Sequence, residues 1–242
     1  MFHKKLLLLF FILKIAFTGY GQVDSSKVKS NFYKKSILPV SFILGGILVS
    51  NSNFEKSFQK DIRNAVGNDF EFRIDDYTRY VPIVQLYGAD LLGVKAKNHW
   101  FDQTKNLTLA IIVTDFITFR LKKAIFKTRP SGSPDGESFP SGHSSFAFTN
   151  ATVLYEEFKD SSTLLAYSGY GFATTTAAFR ILNNAHWISD VIVSAGIGIL
   201  VAKVIYMFDP VIKWNPFKKT QNISFIPQID KNHYGFYARI TF

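Results

Sequence analysis

The stretch that decides the fold lies at residues 161–208 and has the sequence SSTLLAYSGYGFATTTAAFRILNNAHWISDVIVSAGIGILVAKVIYMF. Two apolar runs, at residues 161–179 and 191–208, flank a short polar segment. Runs of this length exceed typical strands, so they predict two helices joined by a loop. Arg180 closes the first run, while His186 and Asp190 precede the second. The residues that could take part in a reaction therefore lie where the two predicted helices meet.

Four further apolar segments precede this pair, at residues 36–54, 81–94, 106–119 and 144–155. Together the segments predict an all-α fold: a bundle of about six apolar helices with the active site at one end. Only residues 36–54, 161–179 and 191–208 approach the roughly 20 residues that a bilayer span needs. The pattern leaves open whether the helices cross a membrane or form a soluble bundle.

The two ends of the chain differ in kind from the bundle. Lys4 and Lys5, an apolar run at residues 6–16 and the small residues around Gly21 predict a secretory signal over 1–21, or an uncleaved N-terminal anchor. Either alternative predicts an exported protein. The bundle is then expected over 22–215. In the tail, 216–242, apolar residues alternate around a polar turn at 230–232, which predicts a short β-hairpin.

Composition narrows the possible partners. The chain contains no cysteine, which excludes disulfides, thiolate metal sites and a cysteine nucleophile. A net charge of +10 and a pI near 9.6 indicate an anionic partner, either a phosphorylated substrate, an acidic membrane surface or a nucleic acid. The 16% of aromatic residues favour a membrane or an apolar pocket and argue against nucleic acid.

Two motifs precede the decisive stretch. In KKAIFKTRP, residues 122–130, Lys122 and Arg129 lie seven positions apart, which on a helix directs both toward one anion. In PSGH, residues 140–143, Ser141, Gly142 and His143 begin a helix whose free N–H groups suit a phosphate. Taken singly, the first motif is equally typical of a basic helix end and the second of an ordinary capped helix.

The third motif, Arg180 with His186 and Asp190, predicts an activated nucleophile. His186 and Asp190 are four residues apart, so on a helix the carboxylate would lie beside the imidazole and fix its tautomer. This is the pairing of a base with an orienting group that a nucleophile requires. A structural His–Asp surface pair is the alternative for this motif alone.

In this order, Lys-x6-Arg-Pro, Pro-Ser-Gly-His and Arg-x5-His-x3-Asp resemble the three-part signature of the type 2 phosphatidic acid phosphatase (PAP2) and vanadium haloperoxidase superfamily. The resemblance covers residues 122–190 closely and the helices around them loosely. One position departs from the pattern, because Phe179 stands where the family usually has serine before the arginine.

The resemblance implies a role for each motif residue. Three cations would neutralise the equatorial oxygens of a phosphoryl group: Lys122, Arg129 and Arg180. Ser141 and the N–H of Gly142 would add hydrogen bonds. His186 would attack phosphorus to form a phosphohistidine, Asp190 would orient it, and His143 would protonate the leaving oxygen.

These roles predict a metal-independent phosphatase that needs no cofactor, acting on lipid phosphates or pyrophosphates at the periplasmic side of a membrane. Phosphatidylglycerol phosphate, undecaprenyl pyrophosphate and lipid A are the expected substrate types. Three alternatives remain: a periplasmic acid phosphatase for soluble monoesters, a vanadate-dependent haloperoxidase and a non-catalytic phosphate-binding anchor. Asp75 and Asp76 are interpreted as a solvated turn, since no histidine or further carboxylate lies at ligand spacing in the sequence.

Overall fold

The structure is a computed structural model that describes residues 25–134, 136–212, 215–217, 223–230 and 233–240. The predicted signal, 1–21, lies outside the described residues. The described part contains eight helices and two strands. The helices are α1 (Ser25–Val49), α2 (Asn53–Val66), α3 (Asp75–Thr78), α4 (Val81–Leu91), α5 (Trp100–Ile125), α6 (Gly142–Phe158), α7 (Thr163–Leu182) and α8 (Ile188–Phe208).

The predicted helical bundle is confirmed, with α6 and α8 at its centre. Twelve of the 17 residues of α6 are buried, and α8 packs against α1 on one side and α6 on another. Two glycines of α8 permit these close approaches. A Cβ at Gly196 would lie 2.6 Å from the carbonyl oxygen of Pro39 on α1, and one at Gly198 would lie 2.5 Å from that of Ser145 on α6.

The apolar run at residues 36–54 predicts one helix, but the structure divides this segment between two helices. α1 ends at Val49 and α2 begins at Asn53, after Asn51 adopts a left-handed backbone with φ of 64°. Ser52 then caps α2, because its hydroxyl accepts a hydrogen bond from the N–H of Glu55 at 3.1 Å. α2 and the four-residue α3 were missed because they are polar or short.

One helix of the described part, α8, is long and apolar enough to cross a membrane, with a mean hydropathy of 2.2, and 61% of its apolar window is buried in the bundle. Residues 33–49 of α1 and the whole of α2 would make a second candidate span only if the two helices, which are bent by 88° at the break between them, were taken as one. Of the three predicted segments of near-spanning length, only residues 191–208 therefore lie in a single described helix that is both long and apolar enough to span a membrane.

The chain divides into two compact units, and the boundary in the sequence falls between Asp209 and Pro210. The second unit contains β1 (Ile223–Asp230) and β2 (His233–Ile240), which pair antiparallel with Ile223 opposite Ile240 and Asp230 opposite His233. These strands lie where the alternating pattern predicts a hairpin. The two residues between them, 231–232, are outside the described part.

Candidate active site

The three motifs lie at the ends of four helices. Lys122 is in the last turn of α5 and Arg180 in the last turn of α7. Ser141 is the N-cap of α6, which begins at Gly142. His186 lies two residues before α8 begins at Ile188. Positive helix N-termini and cationic side chains are therefore available at these helix ends, as an anion site requires.

The imidazole of His186 is held in one tautomer by a main-chain carbonyl. Its Nδ1 lies 2.7 Å from the carbonyl oxygen of Ser138, and the residue is only 2% exposed. A carbonyl oxygen can only accept, so Nδ1 carries the proton and donates it. The lone pair of the neutral ring is then on Nε2. With this lone pair free of a proton, Nε2 can act as a nucleophile.

Asp190 does not contact His186 in the way its spacing predicts. His186 precedes the helix, and its Nδ1 lies 3.8 Å from Oδ2 of Asp190, beyond hydrogen-bond distance. Oδ2 of Asp190 instead accepts from the hydroxyl of Ser138 at 2.5 Å and from the N–H of Trp187 at 3.0 Å. Asp190 thus fixes the two residues that surround the imidazole, and the direct contact belongs to Ser138.

Burial keeps His186 neutral. The pKa of His186 is lowered to about 4, mainly by removal from solvent and in addition by the positive charges of Arg180 and Lys122, while the neighbouring carboxylate of Asp190 acts in the opposite direction. The charges of Arg180 and Lys122 that disfavour an imidazolium would favour a bound phosphate. Near neutral pH the ring is therefore an uncharged base in a cationic surrounding.

A buried lysine that the sequence interpretation missed holds this region together. Nζ of Lys127 lies 2.8 Å from Asp190 Oδ1 and 2.9 Å from Glu55 Oε1, and it donates to the hydroxyl of Ser189 at 2.9 Å. Glu55 belongs to α2 and is 1% exposed. The lysine thus ties the start of α8 to a helix that carries no motif. Its only sequence signal was its place inside KKAIFKTRP.

The spacing of the two basic residues in the first motif predicts that they lie on one helix, but in the structure they do not. Phe126, with φ of 49°, adopts a left-handed conformation that ends α5, so Arg129 lies in the following loop. Nζ of Lys122 donates to the carbonyl oxygen of Glu137, and Nη1 of Arg129 donates to that of Ala185 at 3.2 Å. Arg129 therefore reaches the residue next to His186 by a different path.

Arg180 is close enough for its charge to act on both His143 and His186, and it is anchored by Asp75. Nη1 of Arg180 lies 2.8 Å from Oδ2 of Asp75, which is 1% exposed. Asn183 donates to Oδ1 of the same carboxylate at 3.0 Å. The interpretation of Asp75 and Asp76 as a solvated turn is therefore wrong. The sequence conceals the contact because Arg180 and Asp75 are 105 residues apart.

The second histidine pairs with the other aspartate. Nε2 of His143 lies 2.8 Å from Oδ1 of Asp76. Burial lowers the pKa of His143, and the positive charge of Arg180 lowers it further, whereas the hydrogen bond to Asp76 raises it. His143 is thus a titratable group whose protonation depends on a carboxylate outside the three motifs.

Ser141 and Gly142 have the structural role of a helix start. The hydroxyl of Ser141 accepts hydrogen bonds from the N–H of Ser144 at 3.5 Å and from its hydroxyl at 3.0 Å, and Ser141 is fully buried. Phe179, the position that departs from the pattern, packs against Phe72 with ring centres 5.5 Å apart. An aromatic contact to the segment before α3 thus replaces the hydroxyl that the pattern leads one to expect.

A family model described as the PAP2 superfamily matches residues 103–214. These residues form a PAP2 superfamily domain. The three motifs all lie inside the domain. Glu55 of α2 and the aspartates of α3 lie outside it, so the chain supplies these contacts from a segment that the family model does not cover.

Comparison with individual proteins agrees with this family. The lipid A 1-phosphatase of Porphyromonas gingivalis is 29% identical over 158 residues, which make up 65% of this chain and 35% of that protein. The chain thus spans about a third of the length of the curated relative it matches.

Two solved structures are also similar. The transmembrane PAP2-type phosphatidylglycerolphosphate phosphatase of Bacillus subtilis is 19% identical with a TM-score of 0.50, covering 73% of this chain and 98% of that one. Aquifex aeolicus LpxE is 20% identical with a TM-score of 0.49, covering 65% of this chain and 98% of that one. Over the part of the chain that aligns, it therefore has the fold of the Bacillus protein.

Proposed function

We propose that the chain is a metal-independent phosphatase that removes phosphate from a lipid phosphate monoester or pyrophosphate through a phosphohistidine at His186. The observation that carries the proposal is the state of this imidazole. It is buried, neutral and fixed through Nδ1 by the Ser138 carbonyl, and the charges of Arg180 and Lys122 act on it. A histidine that only supported the fold would need neither a directed lone pair nor cations around it.

In the proposed first step, Nε2 of His186 attacks phosphorus as the bond from phosphorus to the leaving oxygen breaks. Lys122, Arg129 and Arg180 neutralise the phosphoryl oxygens, where the transition state carries its charge. Ser141 and the N–H of Gly142 donate further hydrogen bonds.

His143 supplies the proton that the departing alkoxide requires. Water then cleaves the phosphorus–nitrogen bond, releasing inorganic phosphate and the free imidazole. Asp190 holds the ring indirectly, through Ser138 and Trp187.

An apolar cavity supports a lipid substrate. Its volume is about 290 Å³, and its walls come from α1, α6, α7 and α8, among them Phe42, Phe148, Ile181 and Ile188. Ile181 directly follows Arg180, and Ile188 follows His186 by two positions, so the cavity wall is continuous in sequence with the proposed phosphate site. An acyl chain fits such a lining better than a soluble ester does.

Exposed apolar side chains support a membrane location. Leu48 on α1, Phe116 on α5 and Leu164 on α7 are 82%, 65% and 86% exposed, as expected of side chains that contact lipid. The basic charge of the chain suits an anionic membrane surface. We place the site on the periplasmic side, as the predicted export of the chain implies.

The test is release of inorganic phosphate by the purified chain in detergent. The panel contains lipid A, phosphatidylglycerol phosphate, undecaprenyl pyrophosphate and the soluble ester p-nitrophenyl phosphate. We expect the highest kcat/KM for one of the lipids, and we expect His186→Ala to abolish release from all four.

His99→Ala is the matched control, because His99 is an exposed histidine at the start of α5 and should be dispensable. Phosphate release that survives in His186→Ala would refute the phosphohistidine. A clear preference for p-nitrophenyl phosphate over every lipid would favour the soluble acid phosphatase instead.

A further inference from the structure

Asp76 faces the proposed proton donor from outside the PAP2 domain. Its Oδ1 lies 2.8 Å from Nε2 of His143, with the two side chains 43% and 25% exposed. Asp76 is in α3, and the family model begins at residue 103. The contact joins residues 67 positions apart in the chain.

The short helix that carries Asp76 is fixed to α7 by several bonds. Asp75 pairs with Arg180, and the hydroxyls of Thr78 and Thr176 lie 2.8 Å apart. Asn183 donates to the carbonyl oxygen of Phe72 and accepts from its N–H, both at 3.0 Å. Asp76 is therefore held at one place, and the packing of α3 on α7 positions it beside His143 of α6.

Two arginines near His143 oppose its protonated form. Arg180 from α7 and Arg79, just after α3, both disfavour the imidazolium, as does burial. Two carboxylates favour it, Asp76 by a hydrogen bond and by its charge, and Asp75 by charge alone. Asp75 is already paired with Arg180, so the direct partner of the imidazole is Asp76.

Building on the proposed function, we propose that Asp76 is the positioning residue that orients His143 for proton donation and raises the fraction of the ring that is protonated. An imidazolium has two N–H groups. With Nε2–H bonded to Asp76, Nδ1–H remains for the leaving oxygen. When the bond from phosphorus to oxygen breaks, that proton moves to the oxygen, and the neutral ring keeps its bond to Asp76.

The critical variant is Asp76→Asn, which keeps the size and a hydrogen-bonding group but removes the charge. Losing the carboxylate lowers the protonated fraction of His143, and one pKa unit corresponds to about tenfold. For an alkyl phosphate lipid, phosphoenzyme formation at pH 7.5 should slow about tenfold or more, and the deficit should shrink as the pH falls. For p-nitrophenyl phosphate, whose phenolate leaves without a proton, the same step should slow by less than about threefold.

Three comparisons separate this role from a structural one. In a His143→Ala background, Asp76→Asn should have no further effect, because the group it acts on is gone. Asp76→Glu keeps a carboxylate and should recover most of the lipid rate. Asp69→Asn, which changes an exposed aspartate in the loop before α3, should match the wild type for both substrates. The ratio of the two rates within one variant does not depend on the fraction that is folded.

Two results would overturn the proposal. The first is an equal loss for both substrates in Asp76→Asn, or a loss that adds to that of His143→Ala. The second concerns a cation, because Asp75, Asp76 and His143 offer ligand atoms within 4.8 Å of one another. If chelation removes the wild-type activity and Mg²⁺ or Zn²⁺ restores it, the carboxylates serve a metal ion. Failure of the proposed function is distinct, since no substrate would then be cleaved by the wild type.

Discussion

Replacing Lys127 by methionine should be one of the most damaging single changes to the stability of this protein. The substitution keeps the length of the side chain and removes its charge, leaving Glu55 and Asp190 buried without their common partner. Both carboxylates lie within 3 Å of the same Nζ, and two charges at about 6 Å repel by about 3 kcal/mol at an effective dielectric constant of about 20. With the lost attraction included, the free energy of unfolding should fall by about 3 to 5 kcal/mol.

Thermal unfolding in detergent, followed by tryptophan fluorescence, measures this effect. A chain of this size should lose roughly 6 to 20 °C in melting midpoint. Trp187 is a local probe, since its ring centre lies 5.6 Å from Nζ of Lys127. Lys123→Met is the control, because Lys123 pairs with Glu137 at the surface and should cost under about 1 kcal/mol.

Adding Glu55→Gln to Lys127→Met should restore part of the stability, because it removes one of the two unpaired charges. If Lys127→Met melts within a few degrees of Lys123→Met, roughly the 2 to 4 °C that 1 kcal/mol produces, the buried network does not stabilise the fold and the reasoning is refuted.

Two further predictions concern the reaction. Because the pKa of His186 is lowered to about 4, the nucleophile stays neutral as the pH falls below 6.5. The second-order rate constant for phosphoenzyme formation from p-nitrophenyl phosphate, corrected for the ionisation of the substrate, should therefore decline only near pH 4. A decline centred near pH 6.5 would contradict this. Because the positive charge at the proposed phosphate site comes from side chains, phosphate release should persist in EDTA and be inhibited by vanadate. If EDTA abolishes phosphate release and a divalent ion restores it, the assignment of the charge to Lys122, Arg129 and Arg180 is incomplete.

The sequence by itself determined the helical class of the fold and the identity of the chemical groups. Helix-length apolar runs require burial on every turn, so most of the helices fall where those runs lie. Proline, serine and glycine before an apolar run favour a helix start, and α6 begins there at Gly142. These features depend on neighbours within a few residues, and local physics is sufficient to predict them.

Local spacing failed where the chain leaves a helix. Lys122 and Arg129 were expected on one helical face, but the left-handed Phe126 ends α5 between them. His186 and Asp190 were expected to pair directly, but the imidazole precedes α8 and bonds to a carbonyl. Helix periodicity applies only inside a helix. No residue type in the sequence indicated that α5 ends before Phe126 or that α8 begins after His186.

Tertiary structure alone decided how the proposed catalytic groups are held. A main-chain carbonyl, such as that of Ser138 beside His186, has no sequence signature because every residue has one. Lys127, Arg180 and His143 each have a carboxylate partner on a helix that carries no motif, 72, 105 and 67 residues away. Buried charges need partners, but which carboxylate meets which cation depends on how the helices pack, and that information lies in the whole chain rather than in any one segment of it.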